Sequence, residues 1–166
     1  LFNSYWNRGR MKTRRNFIII AASFAVILVA FVIIMLTRSH KFALSSEYYG
    51  TAEVQDTNTD ELQSFIDGQK SFGLFISQPA CQASADLEKN LDVFLEAYPL
   101  KFYEISFSTI KDGDIVPDLK FYPSFAIFYN GRVVDFLEAD SDEDAAAYTS
   151  VDGFEDWFSG YVELSI

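Results

Sequence analysis

A chain of 166 residues with one cysteine and one histidine has no internal disulfide, no cysteine-rich zinc site and no Cys-His or Ser-His catalytic pair of the usual kind. Charge is split: residues 1–37 carry five Lys/Arg and no acid, whereas residues 38–166 carry eight Lys/Arg against 24 Asp/Glu. So acidic a region repels nucleic acid and anionic lipid, and no nucleic-acid partner is expected.

Leu1 to Arg10 shows no pattern, while Met11 is followed by Lys12, Arg14 and Arg15 and then an apolar block, as in a membrane-targeted chain that begins at Met11. Residues 1–10 are expected to be upstream translation or added sequence outside the mature protein, the alternative being a genuine cytoplasmic tail. Phe17 to Leu36 is twenty residues without a charge. As a helix it spans about 30 Å, the hydrocarbon thickness of a bilayer. It is longer than a signal-peptide core, and no small-x-small cleavage site follows, so residues 17–37 are expected to be an uncleaved single-pass anchor. The basic cluster before it favours a cytoplasmic N-terminus, which places the acidic region outside the cell.

Residues 38–58 are polar with scattered apolar positions and are expected to be a linker; Tyr48-Tyr49 within it would rest either on the membrane interface or on the domain. Residues 59–166 read as the folded domain. Thr59-Asp60-Glu61 starts a helix that Gly68 stops, with Leu62, Phe65 and Ile66 on one face. Phe72, Leu74, Phe75 and Ile76 form an apolar run of strand length, broken at Gln78-Pro79-Ala80 because proline does not continue a central strand. From Cys81 the period becomes helical, with Leu87, Leu91, Phe94, Leu95 and Tyr98 on one face. The single cysteine therefore stands where a strand hands over to a helix, and the unpaired N–H groups of a helix start favour a thiolate. Asp86 and Glu88 oppose that effect. A small buried apolar residue is the competing reading of Cys81.

Lys101 to Phe107 reads as a strand with Tyr103, Ile105 and Phe107 on one face and Phe102 on the other. Ser108 to Lys120 reads as a crossover with one helical turn. Ser124 to Tyr129 is a strand, Asn130-Gly131 a type I′ hairpin signal and Arg132 to Leu137 the returning strand. Glu138 to Asp144 holds five acids in seven residues and reads as a loop. Its Asp140, Asp142 and Asp144 are spaced like the opening of a calcium loop, but Ala145 stands where glycine is needed and Val151 where glutamate is needed. A solvated loop is the better reading, and neither a metal nor a cofactor is expected. Ser150 caps a last helix whose Val151, Phe154, Trp157, Phe158 and Tyr161 lie at helical spacing. The order gives an α/β fold: a four-stranded mixed sheet with helices on both faces, its first two strands parallel and its last two antiparallel.

With these elements in place, the chain resembles the thioredoxin superfamily. Phe75 to Ser84 sits where that family has a strand followed by Cys-x-x-Cys at a helix start. Tyr122-Pro123 sits where it has a cis-proline. Asn130-Gly131-Arg132-Val133-Val134 is similar to its hairpin. Within the superfamily the chain looks most like small membrane-anchored Gram-positive proteins, including bacteriocin transport accessory proteins, which share the Pro79-x-Cys81 lead-in. The resemblance implies a cis Tyr122-Pro123 bond, with Pro123 facing Cys81 across a shallow groove. It also departs from the pattern, because Ser84 stands at the second cysteine. A dithiol cycle needs that second thiol to resolve the mixed disulfide. Monothiol exchange remains, with Cys81 attacking, Ser84 donating a hydrogen bond to its sulfur, and Tyr122, Pro123, Pro79 and Gln82 binding the substrate. The alternative is a redox-inactive domain that binds a peptide or protein partner. A disulfide-linked dimer through Cys81 is also compatible with an unpaired cysteine outside the cell.

Overall fold

The computed structural model describes residues 41–110, 115–116, 119–120 and 122–165. Lys41–Ile166 form one compact unit. The expected anchor, residues 17–37, and the tail before it lie outside the described residues. Among the described residues, no helix is long and apolar enough to cross a membrane.

Five strands make one sheet: β1 (Glu53–Asp56), β2 (Phe72–Ser77), β3 (Lys101–Ser106), β4 (Ser124–Tyr129) and β5 (Arg132–Phe136), in the order β1-β3-β2-β4-β5. β2 is central. It runs parallel to β3, which is parallel to β1, and antiparallel to β4, which is antiparallel to β5. Phe72 to Ile76 are all buried because both faces of β2 are covered, which is why the segment reads as a continuous apolar run.

The helices are α1 (Thr59–Asp67), α2 (Gln82–Ala97), the single turn α3 (Phe107–Ile110), α4 (Ala145–Thr149) and α5 (Val151–Ser159). On one face of the sheet, Phe102 of β3 and Phe125 of β4 meet Phe94 of α2 and Phe154 and Phe158 of α5. On the other, Phe72 stacks on Phe128 at 4.5 Å, and Phe65 of α1 and Tyr48 pack on Tyr103. Gly73 lies between these layers for a steric reason. A Cβ there would stand 2.8 Å from Phe102 and 2.7 Å from Phe125, closer than packed carbons allow.

The ends of the elements follow local chemistry. The Asn58 side chain accepts from Glu61 N–H at 3.0 Å and caps α1, and Ser150 Oγ does the same for Gly153 N–H of α5. Asn130 and Gly131 hold φ values of 50° and 73°, as a type I′ turn requires. Gly131 is also pressed against the Ile66 carbonyl, and its N–H donates to Lys70 O at 2.8 Å.

Two expectations need correction. The sheet has five strands, not four: Glu53-Val54-Gln55-Asp56 pairs with β3 at the edge. Only Val54 is even partly covered, so the segment carries no apolar alternation to betray it. Nor is the stretch from Lys41 to Asn58 a linker. Phe42 bridges to Val162, Leu44 and Tyr48 are buried in the core, and Ser45 exchanges hydrogen bonds with Ser71. Tyr49 belongs to the domain as well: its hydroxyl accepts from Leu44 N–H and donates to Glu163 O at 2.7 Å. These residues enter the core singly, without a period.

Candidate functional site

β2 ends at Ser77, and the chain then turns sharply. Cys81 N–H donates to Gln78 O at 3.2 Å, closing a turn over Pro79 and Ala80. Pro79 presets the second position of the turn. Ala80 holds φ +59°, a left-handed conformation that costs a side-chain-bearing residue about 1 kcal/mol. Gln78, Pro79 and Ala80 are exposed. Cys81 is the N-cap of α2, with extended dihedrals, and its carbonyl accepts from Ala85 N–H at 3.2 Å. Its side chain makes no capping bond and is partly exposed, a free thiol at the head of a 16-residue helix.

Ser84, one turn further, is buried. Its Oγ accepts the Gln78 N–H at 2.8 Å, so it ties the exit of β2 to the first turn of α2. The hydroxyl proton is not used by that bond. Gln82 is exposed and donates to Asp86 at 2.8 Å, and Lys89 reaches the same carboxylate at 3.2 Å. The Gln82 amide first, then Lys89, holds the Asp86 carboxyl below its ordinary value. The first turn of α2 contains no acid. Asp86 is thus already engaged by one amide and one ammonium donor.

The Tyr122-Pro123 bond is cis, as the resemblance implied. Pro123 is buried and precedes Ser124, which pairs with Ile76 of β2. Continuing that antiparallel register by one step brings Pro123 alongside Ser77. The cis-proline and the turn leading to Cys81 therefore lie at the same end of the paired strands β2 and β4. Tyr122 stacks on Phe107 with ring centroids 3.5 Å apart, and burial raises its phenol pKa.

A cavity of about 770 Å³ lies at this end of the two strands. Its walls are Ala83, Asp86 and Asn90 of α2, the Tyr122-Pro123 pair, and Tyr148 of α4, with the acidic loop from Ala139 to Asp142 as the rim. Tyr148 is the site residue that sequence reasoning missed. Its hydroxyl donates to Pro123 O at 2.7 Å and lies 2.9 Å from Leu137 O, and the Asn90 side chain donates to Tyr148 O at 2.9 Å. No local pattern marks it, since Ala145–Thr149 is a short turn without an apolar face. In the acidic loop, Asp144 accepts from Glu138 N–H at 2.7 Å, the role of a loop-closing residue. Among the described residues no cluster of three or more His, Cys, Asp or Glu is arranged to hold a metal.

A βαβ unit carrying a cysteine at the helix start, followed by a cis-proline and an antiparallel hairpin, is a thioredoxin-like fold. Solved structures agree. The thioredoxin NaTrxh from Nicotiana alata superposes with a TM-score of 0.54 at 13% identity, covering 69% of this chain and 96% of its own. A mutant thioredoxin from Halobacterium salinarum does so with a TM-score of 0.53 at 15% identity, covering 70% and 97%. Oxidised thioredoxin from Plasmodium falciparum gives 0.50 at 13% identity, covering 64% and 99%. No protein-family model and no curated protein matches the chain. At these identities the likeness establishes the fold.

Proposed function

We propose that this chain is a membrane-anchored protein whose thioredoxin-like domain, outside the cell, exchanges thiols and disulfides through the single cysteine Cys81. One observation carries the proposal: Cys81 is a partly exposed free thiol at the start of α2, just beyond β2, whose end pairs at Ile76 with Ser124, the residue after the cis-proline. The attacking species in such exchange is the thiolate.

The exchange balances without a second cysteine in the chain. The Cys81 thiolate attacks one sulfur of a substrate disulfide; a Cys81–substrate disulfide forms, and the other substrate sulfur leaves as a thiolate. A small external thiol then attacks the mixed disulfide, and Cys81 is released as a thiolate. Isomerisation regenerates Cys81 by attack from another substrate thiol. Removal of glutathione from a protein thiol uses a second glutathione as reductant. Net oxidation or reduction by the domain alone is not part of the cycle, because Ser84 has no thiol to resolve the intermediate.

Phe17 to Leu36 supplies the anchor, Lys12, Arg14 and Arg15 set its orientation, and export of peptides such as bacteriocins is the setting that the resemblance implies. The second reading is a redox-silent domain that holds an extended peptide against the cis-proline; Ser84 at the second cysteine position favours it. Cys81→Ser separates the two in an isomerisation assay with glutathione present. Loss of activity supports exchange, while unchanged function of the exporting cell supports binding alone. Ser84→Cys adds the missing thiol and should give activity without glutathione. If that variant still needs glutathione, the monothiol explanation of the wild type is wrong.

A further inference from the structure

The cavity beside the cis-proline has no role assigned so far, and its charge is one-sided. Asp86 stands on one wall, Asp140 and Asp142 on the rim. Lys89 also borders it, 3.2 Å from Asp86, so those two charges offset one another and the unbalanced charge is that of Asp140 and Asp142. Asp140 and Asp142 have no cationic partner among the described residues. Tyr122 and Pro123, which also line the cavity, are uncharged. Burial first, and then the charges of Asp144, Asp140 and Glu138 against a lowering by Ser124, push the Tyr148 phenol well above its ordinary value.

We infer that this cavity seats a basic side chain, arginine or lysine, of an extended peptide lying along Tyr122-Pro123. The inference rests on the proposed use of that segment as the substrate seat and adds the class of substrate, a cationic peptide segment. The aliphatic stem of the side chain packs on Tyr122 and Pro123 while its head meets Asp140 and Asp142 at the rim, where it remains partly hydrated. The acidic surface as a whole steers such peptides inward, and the rim carboxylates supply the local preference.

The test uses the full chain in detergent micelles and two fluorescent, cysteine-free peptides that differ only in arginine against glutamine. Fluorescence anisotropy should show the arginine peptide binding about five-fold tighter at low salt, the scale of two partly exposed ion pairs. Asp140→Asn combined with Asp142→Asn should erase the preference. Asp60→Asn with Glu61→Gln on α1 removes the same charge far along the chain and should leave it intact. Equal affinity of the two peptides, persistence of the preference in the rim variant, or its loss in the α1 variant would each overturn the inference. Because the peptides lack cysteine, the titration reads the cavity alone; the Cys81 chemistry stands or falls by its own assay.

Discussion

The hydroxyl of Tyr148 donates to the carbonyl of Pro123 at 2.7 Å, joining α4 to the cis-proline across 25 positions of sequence. The same oxygen lies 2.9 Å from Leu137 O, which also accepts from Ser124 Oγ at 2.7 Å. The phenol thus ties α4 to the start of β4, with Leu137 O as a second acceptor within reach of its one proton, and α2 holds α4 in turn through Asn90. The carbonyl of Pro123 is thus held by a helix that arrives after the acidic loop.

Tyr148→Phe keeps the ring and removes the donor. The Pro123 carbonyl then loses its partner, whereas Leu137 O retains Ser124. The variant should lose about 1–3 kcal/mol of unfolding free energy, measured as a lower denaturant midpoint. An unchanged midpoint would mean that water replaces the phenol without cost and that Tyr148 positions nothing.

Ala80 offers a test of opposite sign. Its φ of +59° is natural to glycine and strained for alanine. Ala80→Gly relieves that strain but adds freedom to the unfolded chain. The balance should be a gain of about 0.5–1 kcal/mol, read in the same denaturation experiment. A loss of stability would show that the turn before Cys81 relaxes on its own.

Much of this corner was legible in the sequence, and for definite reasons. The change from a strand run at Phe72–Ile76 to a helical period at Leu87–Tyr98 is long, and Pro79 punctuates it. Asn130-Gly131 announces its own turn type. Pro123 before an apolar strand marks a special position. What escaped notice has a common cause. Glu53–Asp56 is an edge strand whose backbone pairs while its side chains stay largely in water, so no apolar pattern survives. Leu44 and Tyr48 fill gaps in a core built by other segments. Tyr148 acts only through contacts that exist once the chain has closed, and Trp157, placed by its spacing on the apolar face of the last helix, is half-buried and donates to Asp135 at 2.8 Å.

Glu104 gives the domain a pH dependence. It pairs in register with Phe75 and Asp56. Burial raises its pKa most; the Ser77 side chain lowers it, and the charges of Glu88 and Asp56 raise it further. A carboxyl with a folded pKa above its unfolded value binds its proton more tightly in the native state. Its contribution is therefore most favourable in acid and is lost as pH rises from the unfolded value through the folded one. Glu104→Gln removes that loss. Stability measured from pH about 4 to about 7 should shift in favour of the variant as pH increases. Parallel curves for the two proteins would remove Glu104 as a determinant of the pH profile.

The claim on which the functional reading depends is that Cys81 exchanges with disulfides while the domain is folded. The direct measurement is intact mass of the full chain after exposure to oxidised glutathione under native conditions. A single glutathione adduct should form on Cys81, faster as pH rises because the thiolate attacks, and added thiol should remove it. Cys81→Ser should show none. An adduct that forms only after denaturation would contradict this reading and leave Cys81 as a structural residue of the α2 start.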